Sequence, residues 1–147
     1  LQKAADHFNR ELFGGVLPPC LITMQREKKT FGYFSHERWA DKDNKRTDEI
    51  AMNPAMFAVV PLVEILQTMA HEQCHQWQRH FGNPGRGRYH NKEFAEKMKE
   101  IGLMPSSTGR QGDMSPARSM RKMPVIRLGV VSPLRSRAAA SSRAASA

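Results

Sequence analysis

The sequence predicts an α+β domain: an N-terminal helix, a short three-stranded sheet, a long helix carrying paired histidines, and a further helix behind it. Three observations predict this. Apolar residues recur at helical spacing over residues 2–13, 61–81 and 91–101. Residues 20–28, 31–39 and 50–52 have strand character, with alternation in the first two and aromatic or β-branched side chains. Glycine and proline mark the joints between these stretches.

In the first helix, Ala5, Phe8 and Leu12 form an i, i+3, i+7 stripe with Ala4 beside it, and Gly14-Gly15 ends it. Leu17-Pro18-Pro19 makes a stiff, extended approach to the first strand. Gly32, inside the second strand, predicts a bulge or a close backbone approach. The charged run 41–49 reads as a solvated loop before the short strand Ile50-Ala51-Met52, which Asn53-Pro54 terminates.

On the long helix, Leu62, Leu66, Met69 and Trp77 project to one side, with Ile65 at the margin. His71 and His75 project nearly opposite. The expectation is an apolar stripe toward the core and a histidine pair turned outward to a cleft. The basic, glycine-rich loop 82–88 follows, and the last helix places Phe94, Met98 and Ile101 on one face. Residues 1–104 are thus expected to form one domain. Residues 105–147 lose periodicity, become rich in Ser, Ala and Arg, and read as a disordered, basic low-complexity tail.

The net charge of +9 is unevenly spread. Residues 1–100 carry 15 basic and 13 acidic side chains, and residues 101–147 carry 8 and 1. A basic segment fits a polyanionic partner such as nucleic acid, and equally a solvated tail. Arg79, Arg86 and Arg88 add positive charge near the histidines, making DNA contact through them and the tail an expectation. Two cysteines, Cys20 and Cys74, argue against a disulfide framework and for a reducing compartment. No apolar run approaches the roughly 18 residues a membrane span needs, and no secretory-signal pattern opens the chain. A cytoplasmic or nucleoid-associated location, with no membrane partner, is the expectation.

His71-Glu72-Gln73-Cys74-His75 carries the chemistry. On a helix, positions i and i+4 stack, so both imidazoles can hold one ion from the same side. Glu72 is turned about 100° from His71, within reach of a water beside that ion. The spacing is that of HExxH zinc sites, where the glutamate serves as general base. A catalytic zinc site needs a third protein ligand. His90 is the first candidate: from His75 the helix rises about 9 Å to its end, and the eight residues of the following loop can span up to about 27 Å. Glu93 and Glu96 are rivals from the last helix, and Cys74 is a further alternative, although a small buried thiol is the plainer reading for it. His7 and His36 lack ligand-spaced partners and His80 projects to the apolar side, away from the histidine pair, so all three read as structural or surface residues. Tyr89, beside His90, is a candidate oxyanion donor or simply a packed ring. An extended peptide substrate would lie along an edge strand, with 31–35 and 50–53 both open as candidates.

Ordered blocks of this chain resemble the SprT-like family of zinc metalloproteins, which includes the DNA-dependent protease Spartan. The resemblance covers about residues 7–104. It rests on Phe8-Asn9-Arg10-Glu11-Leu12-Phe13-Gly14-Gly15-Val16-Leu17-Pro18-Pro19, on Gly32-Tyr33-Phe34, on Glu49-Ile50-Ala51-Met52-Asn53-Pro54, on Thr68-Met69-Ala70 running into the histidine motif, and on His90-Asn91-Lys92-Glu93-Phe94. It implies a zincin-like domain, zinc on His71, His75 and His90, Glu72 as catalytic acid/base, and a protein or peptide substrate. Many members add a cysteine-rich zinc ribbon, whereas this sequence has no cysteine after Cys74. The competing reading is a non-catalytic, zinc-stabilised nucleic-acid-binding or accessory module. A complete HExxH argues for turnover, because purely structural sites usually close all four positions with protein ligands.

Overall fold

The first turn of chain is shaped by Asn9. The helix Gln2–Phe13 (α1) ends at Gly14, whose φ of 63° is a left-handed conformation that glycine adopts without steric cost. The Asn9 side chain then folds the connection back, donating to the Leu17 carbonyl and accepting from the Leu17 N–H, both at 3.1 Å. The structure, a computed structural model, describes residues 1–27, 30–87 and 89–104. The expected tail 105–147 lies outside the described residues, as does Arg88.

Three strands follow: β1 (Cys20–Met24), β2 (Gly32–Ala40) and β3 (Arg46–Met52). Their order is β1-β3-β2, with β1 parallel and β2 antiparallel to β3. The architecture is mixed α+β. The 41–49 segment departs from the solvated loop expected of it. Its second half belongs to β3, the central strand, and Asp48 and Glu49 are 3% and 1% exposed. Their charge hides the strand from local pattern, but pairing on both sides covers it. Each carboxylate is satisfied there: Thr23 Oγ1 donates to Glu49 Oε1 at 2.7 Å, and Asp48 has four donors described below. Central β3 also removes 50–53 as an edge for an added peptide strand, because residues 50–52 pair with both neighbours.

Gly32 is a close approach, not a bulge. A Cβ there would sit 2.9 Å from the Ala51 carbonyl and 3.2 Å from the Thr68 methyl, so only glycine lets β2 press on both its neighbouring strand and a helix. The bulge lies further along, between Ser35 and Trp39, where the register shifts and Glu37 takes φ 48°. Asn53 anchors the β1–β2 connection by donating to the carbonyls of Glu27 and Thr30, and it caps a short 3-10 turn at Pro54–Met56.

The helix Leu62–Phe81 (α2) runs through the middle of the molecule. On one side Ile65 and Met69 pack with Ala5, Ile50 and Met52, joining α2 to the sheet. On another, Ala70 and Cys74 pack with Phe13, Leu17, Phe94, Met98, Ile101 and Leu103. The single apolar stripe expected of α2 is therefore corrected. Leu62 is 66% exposed and His71 only 2%, because neighbours cover α2 on several sides. Two of the glutamines so buried donate to backbone carbonyls: Gln73 to Ala5 at 2.9 Å and Gln76 to Pro18 at 3.0 Å. Lys92–Glu100 forms α3, started by Asn91, whose side chain accepts from the Phe94 N–H. Among the described residues no helix is long and apolar enough to cross a membrane.

Candidate metal centre

His71 and His75 leave α2 one turn apart, and the loop after Phe81 returns His90 to them. Ring centroids lie 4.9 Å apart for His71–His75, 4.9 Å for His71–His90 and 4.7 Å for His75–His90. One nitrogen from each ring falls within 4.8 Å of the others, a group able to hold a metal ion. Nε2 of His75 and Nε2 of His90 are 2.9 Å apart. Two imidazoles bound to one tetrahedral zinc at about 2.0–2.1 Å would hold their nitrogens a little over 3 Å from each other.

Phe94 forms the floor of this cluster. It is fully buried, stacks on His90 at 4.2 Å and 20°, and lies 4.4 Å from the His75 ring and 5.0 Å from the His71 ring. Burial, aided by the neighbouring His75 and His90, holds the His71 imidazole well below the usual histidine range. Burial likewise pulls His90 down to about 4. Both rings are therefore neutral at physiological pH, the state a metal requires of histidine. His71 Nδ1 is buried with no hydrogen-bond partner. Orphaned nitrogen, neutral rings and converging donors all fit a divalent cation of the zinc type. Glu72 is buried on the same helix, 5% exposed.

A polar clamp sets the position of His90. Gln78, one turn beyond His75, donates to Asn91 Oδ1 at 2.7 Å and to Glu93 Oε2 at 2.6 Å. Glu93 Oε2 also accepts from the Asn83 N–H, and Asn91 Nδ2 donates to the Asn83 carbonyl, both at 2.8 Å. Those donors, the Asn83 backbone first and then Gln78, lower the Glu93 carboxyl below its ordinary value. The loop ends are thus tied to each other and to α2, with His90 one residue before the clamp. Of the rival ligands, Glu93 is engaged in this clamp and Glu96 is exposed beside Lys92. Cys74 is fully buried in the core, and burial pushes its thiol up, away from the thiolate form that binds metals.

The profile of the SprT-like family matches residues 1–114. The chain belongs to that family. A Salmonella typhimurium protein described as "Uncharacterized protein in mucB 3'region" is 55% identical over 51 residues, which is 34% of this chain and 69% of the relative. The histidine cluster therefore sits within the part of this SprT-like chain that defines the family.

A second cluster escaped sequence reasoning altogether. His36 and His80, expected to be structural or surface residues, meet around Asp48. Asp48 Oδ1 accepts from His36 Nδ1 at 3.0 Å and from the Glu37 N–H at 2.9 Å. Asp48 Oδ2 accepts from His80 Nε2 at 2.6 Å and from Gln76 Nε2 at 3.2 Å. Burial pushes the Asp48 carboxyl up, but the Glu37 N–H, His80, Gln76 and His36 outweigh it and hold the group below its usual value. The members come from β2, β3 and α2, far apart in sequence, so no spacing rule announces them. The bulge that turns Glu37 into a left-handed conformation is what aims its N–H at this carboxylate. Phe94 and the Gln78–Asn91–Glu93 clamp were also missed in these roles. Their only sequence signal is position, since they bracket His90.

Proposed function

We propose that this SprT-like chain is a zincin-like metallopeptidase that hydrolyses peptide bonds. His71, His75 and His90 hold the zinc and Glu72 acts as general base. The observation that carries the reading is the convergence of one nitrogen from each of three imidazoles within 4.8 Å, two of them on a helix where Glu72 follows His71. Bound zinc would supply Lewis acidity, polarising a substrate carbonyl and lowering the pKa of a water toward about 7.

Glu72 takes the proton from the attacking water and returns it to the leaving amine. Its low exposure keeps bulk water from competing for that proton. Phe94 and the clamp at Asn91 hold the imidazoles in place, so that a cation meets a preformed set of donors. The substrate lies extended along the outer edge of β2, taking main-chain hydrogen bonds. What supports this choice is that β3 is paired on both sides, and that β2 begins at Gly32, packed on Thr68 just before His71. The proposed substrates are DNA-associated proteins, a reading supported by exposed Arg79 and Arg86 and by the charge of residues 101–147.

Zinc-loaded chain should cleave a DNA-bound protein, faster with DNA than without. Glu72→Gln should keep its zinc while cleavage falls by about 10²–10⁴-fold. A variant that cleaves at the wild-type rate removes Glu72 from the reaction. His90→Ala should lose stoichiometric zinc, and unchanged metal content would discard it as a ligand.

A further inference from the structure

We propose that His36, Asp48 and His80 form a second divalent-metal site, separate from the cluster of His71, His75 and His90. One donor atom from each lies within 4.8 Å of the others. Two imidazoles and one carboxylate suit zinc and the other late first-row divalent ions.

The carboxylate is prepared for the task. Asp48 is 3% exposed, and two groups that are not donors to a metal fix its plane: the Glu37 N–H on Oδ1 and the Gln76 amide on Oδ2. Such outer contacts orient a ligand before the ion arrives. The histidines are accessible, with 28% and 27% of their side chains exposed, so an ion can enter from solvent. Their rings cross edge to face at 5.2 Å, bringing His36 Nδ1 and His80 Nε2 to the same carboxylate.

Without an ion, those nitrogens carry the protons donated to Asp48. Moving each proton to the other nitrogen of its ring frees a lone pair for the metal and leaves each neutral imidazole with one N–H. For His36 that other nitrogen is Nε2, 3.8 Å from Glu37 Oε1. At that distance the exposed Glu37 carboxylate lies near the ring without a hydrogen bond to it. Glu37 serves the site through its N–H on the Asp48 carboxylate. An ion there would bridge β2, β3 and the end of α2.

The test uses the full chain, stripped with chelator, titrated with zinc, desalted and counted by mass spectrometry of the metal. Wild type should retain two ions, His36→Asn one, His75→Asn one, and the double variant none. His36 lies half-exposed on an edge strand, and circular dichroism would check that its variants fold. In the His75→Asn background, zinc should raise the melting temperature by a few degrees, and His36→Asn should abolish the rise. Wild type holding a single ion that His75→Asn removes and His36→Asn spares would overturn the proposal, leaving the cluster a hydrogen-bonded network. Two ions in His36→Asn would overturn it as well. A single ion lost with His36→Asn and kept with His75→Asn would support this site while refuting the peptidase centre.

Discussion

His71, His75 and His90 gather over the ring of Phe94, whereas His36 and His80 gather around the carboxylate of Asp48. Both sets draw a histidine from α2, yet they hold their members differently. In the first, the packing partner is apolar and burial keeps the His71 and His90 rings neutral. In the second, an anion on β3 collects donors from β2 and α2 and doubles as a joint between the three elements. An apolar floor makes donors that wait for a cation, while a buried carboxylate makes a structure that is satisfied without one.

Several substitutions can break or sharpen that contrast, here in order of expected size. Phe94→Ala should remove the floor and cost about 3–5 kcal/mol, read by urea unfolding of metal-free chain. It should also weaken zinc binding beyond what Met98→Ala does, because the Phe94 ring lies against His71, His75 and His90 while Met98 fills the same core cluster. Equal zinc affinity in the two variants would mean that Phe94 only fills space. Asp48→Asn exchanges two acceptor oxygens for one and an amide, facing four donors. It should cost about 1–3 kcal/mol, with zinc at His71, His75 and His90 unchanged. If zinc there weakens too, the two regions are coupled through α2 and the contrast fails. Asn91→Ala should cost about 1 kcal/mol as a lost cap, while lowering zinc affinity about 10–100-fold. That small stability change with a large metal change would mark Asn91 as a positioning residue. Gly82→Ala should be milder still, since its Cβ would meet the Glu93 carboxylate at 2.5 Å and push one arm of the clamp aside. A drop in zinc affinity without unfolding is its expected signature.

The two regions also differ in how far the sequence reveals them. His71 and His75 declare themselves because a helix converts a spacing of four into adjacency. Loop length leaves His90 within reach of them, and the helix and strand order follows from periodicity and punctuation. Asp48 stays hidden because charge in a short segment looks the same whether water or neighbouring strands surround it. What buries it is pairing with β1 and β2, set by residues more than ten positions away. The wheel of α2 misleads for a related reason. A single stripe describes a helix with one covered side, and α2 has several, so buried glutamines and His71 break the pattern. The strand 50–53 could not be told from an edge strand until the sheet order placed it in the middle.

That sheet order also dictates a sequence of events. β2 and β3 are joined by the five residues 41–45 and can zip together locally, at little loop-closure cost. β1 can take its parallel place beside β3 only with the whole hairpin on its far side. Non-local parallel pairing is the slower event. The hairpin should therefore gain amide protection first on refolding, with β1 joining late, and pulse-labelled hydrogen exchange would reverse this order if β1 led. Until β1 arrives, β3, the most buried strand of the described residues, has one edge open, and that interval is when the chain is most exposed to misassociation.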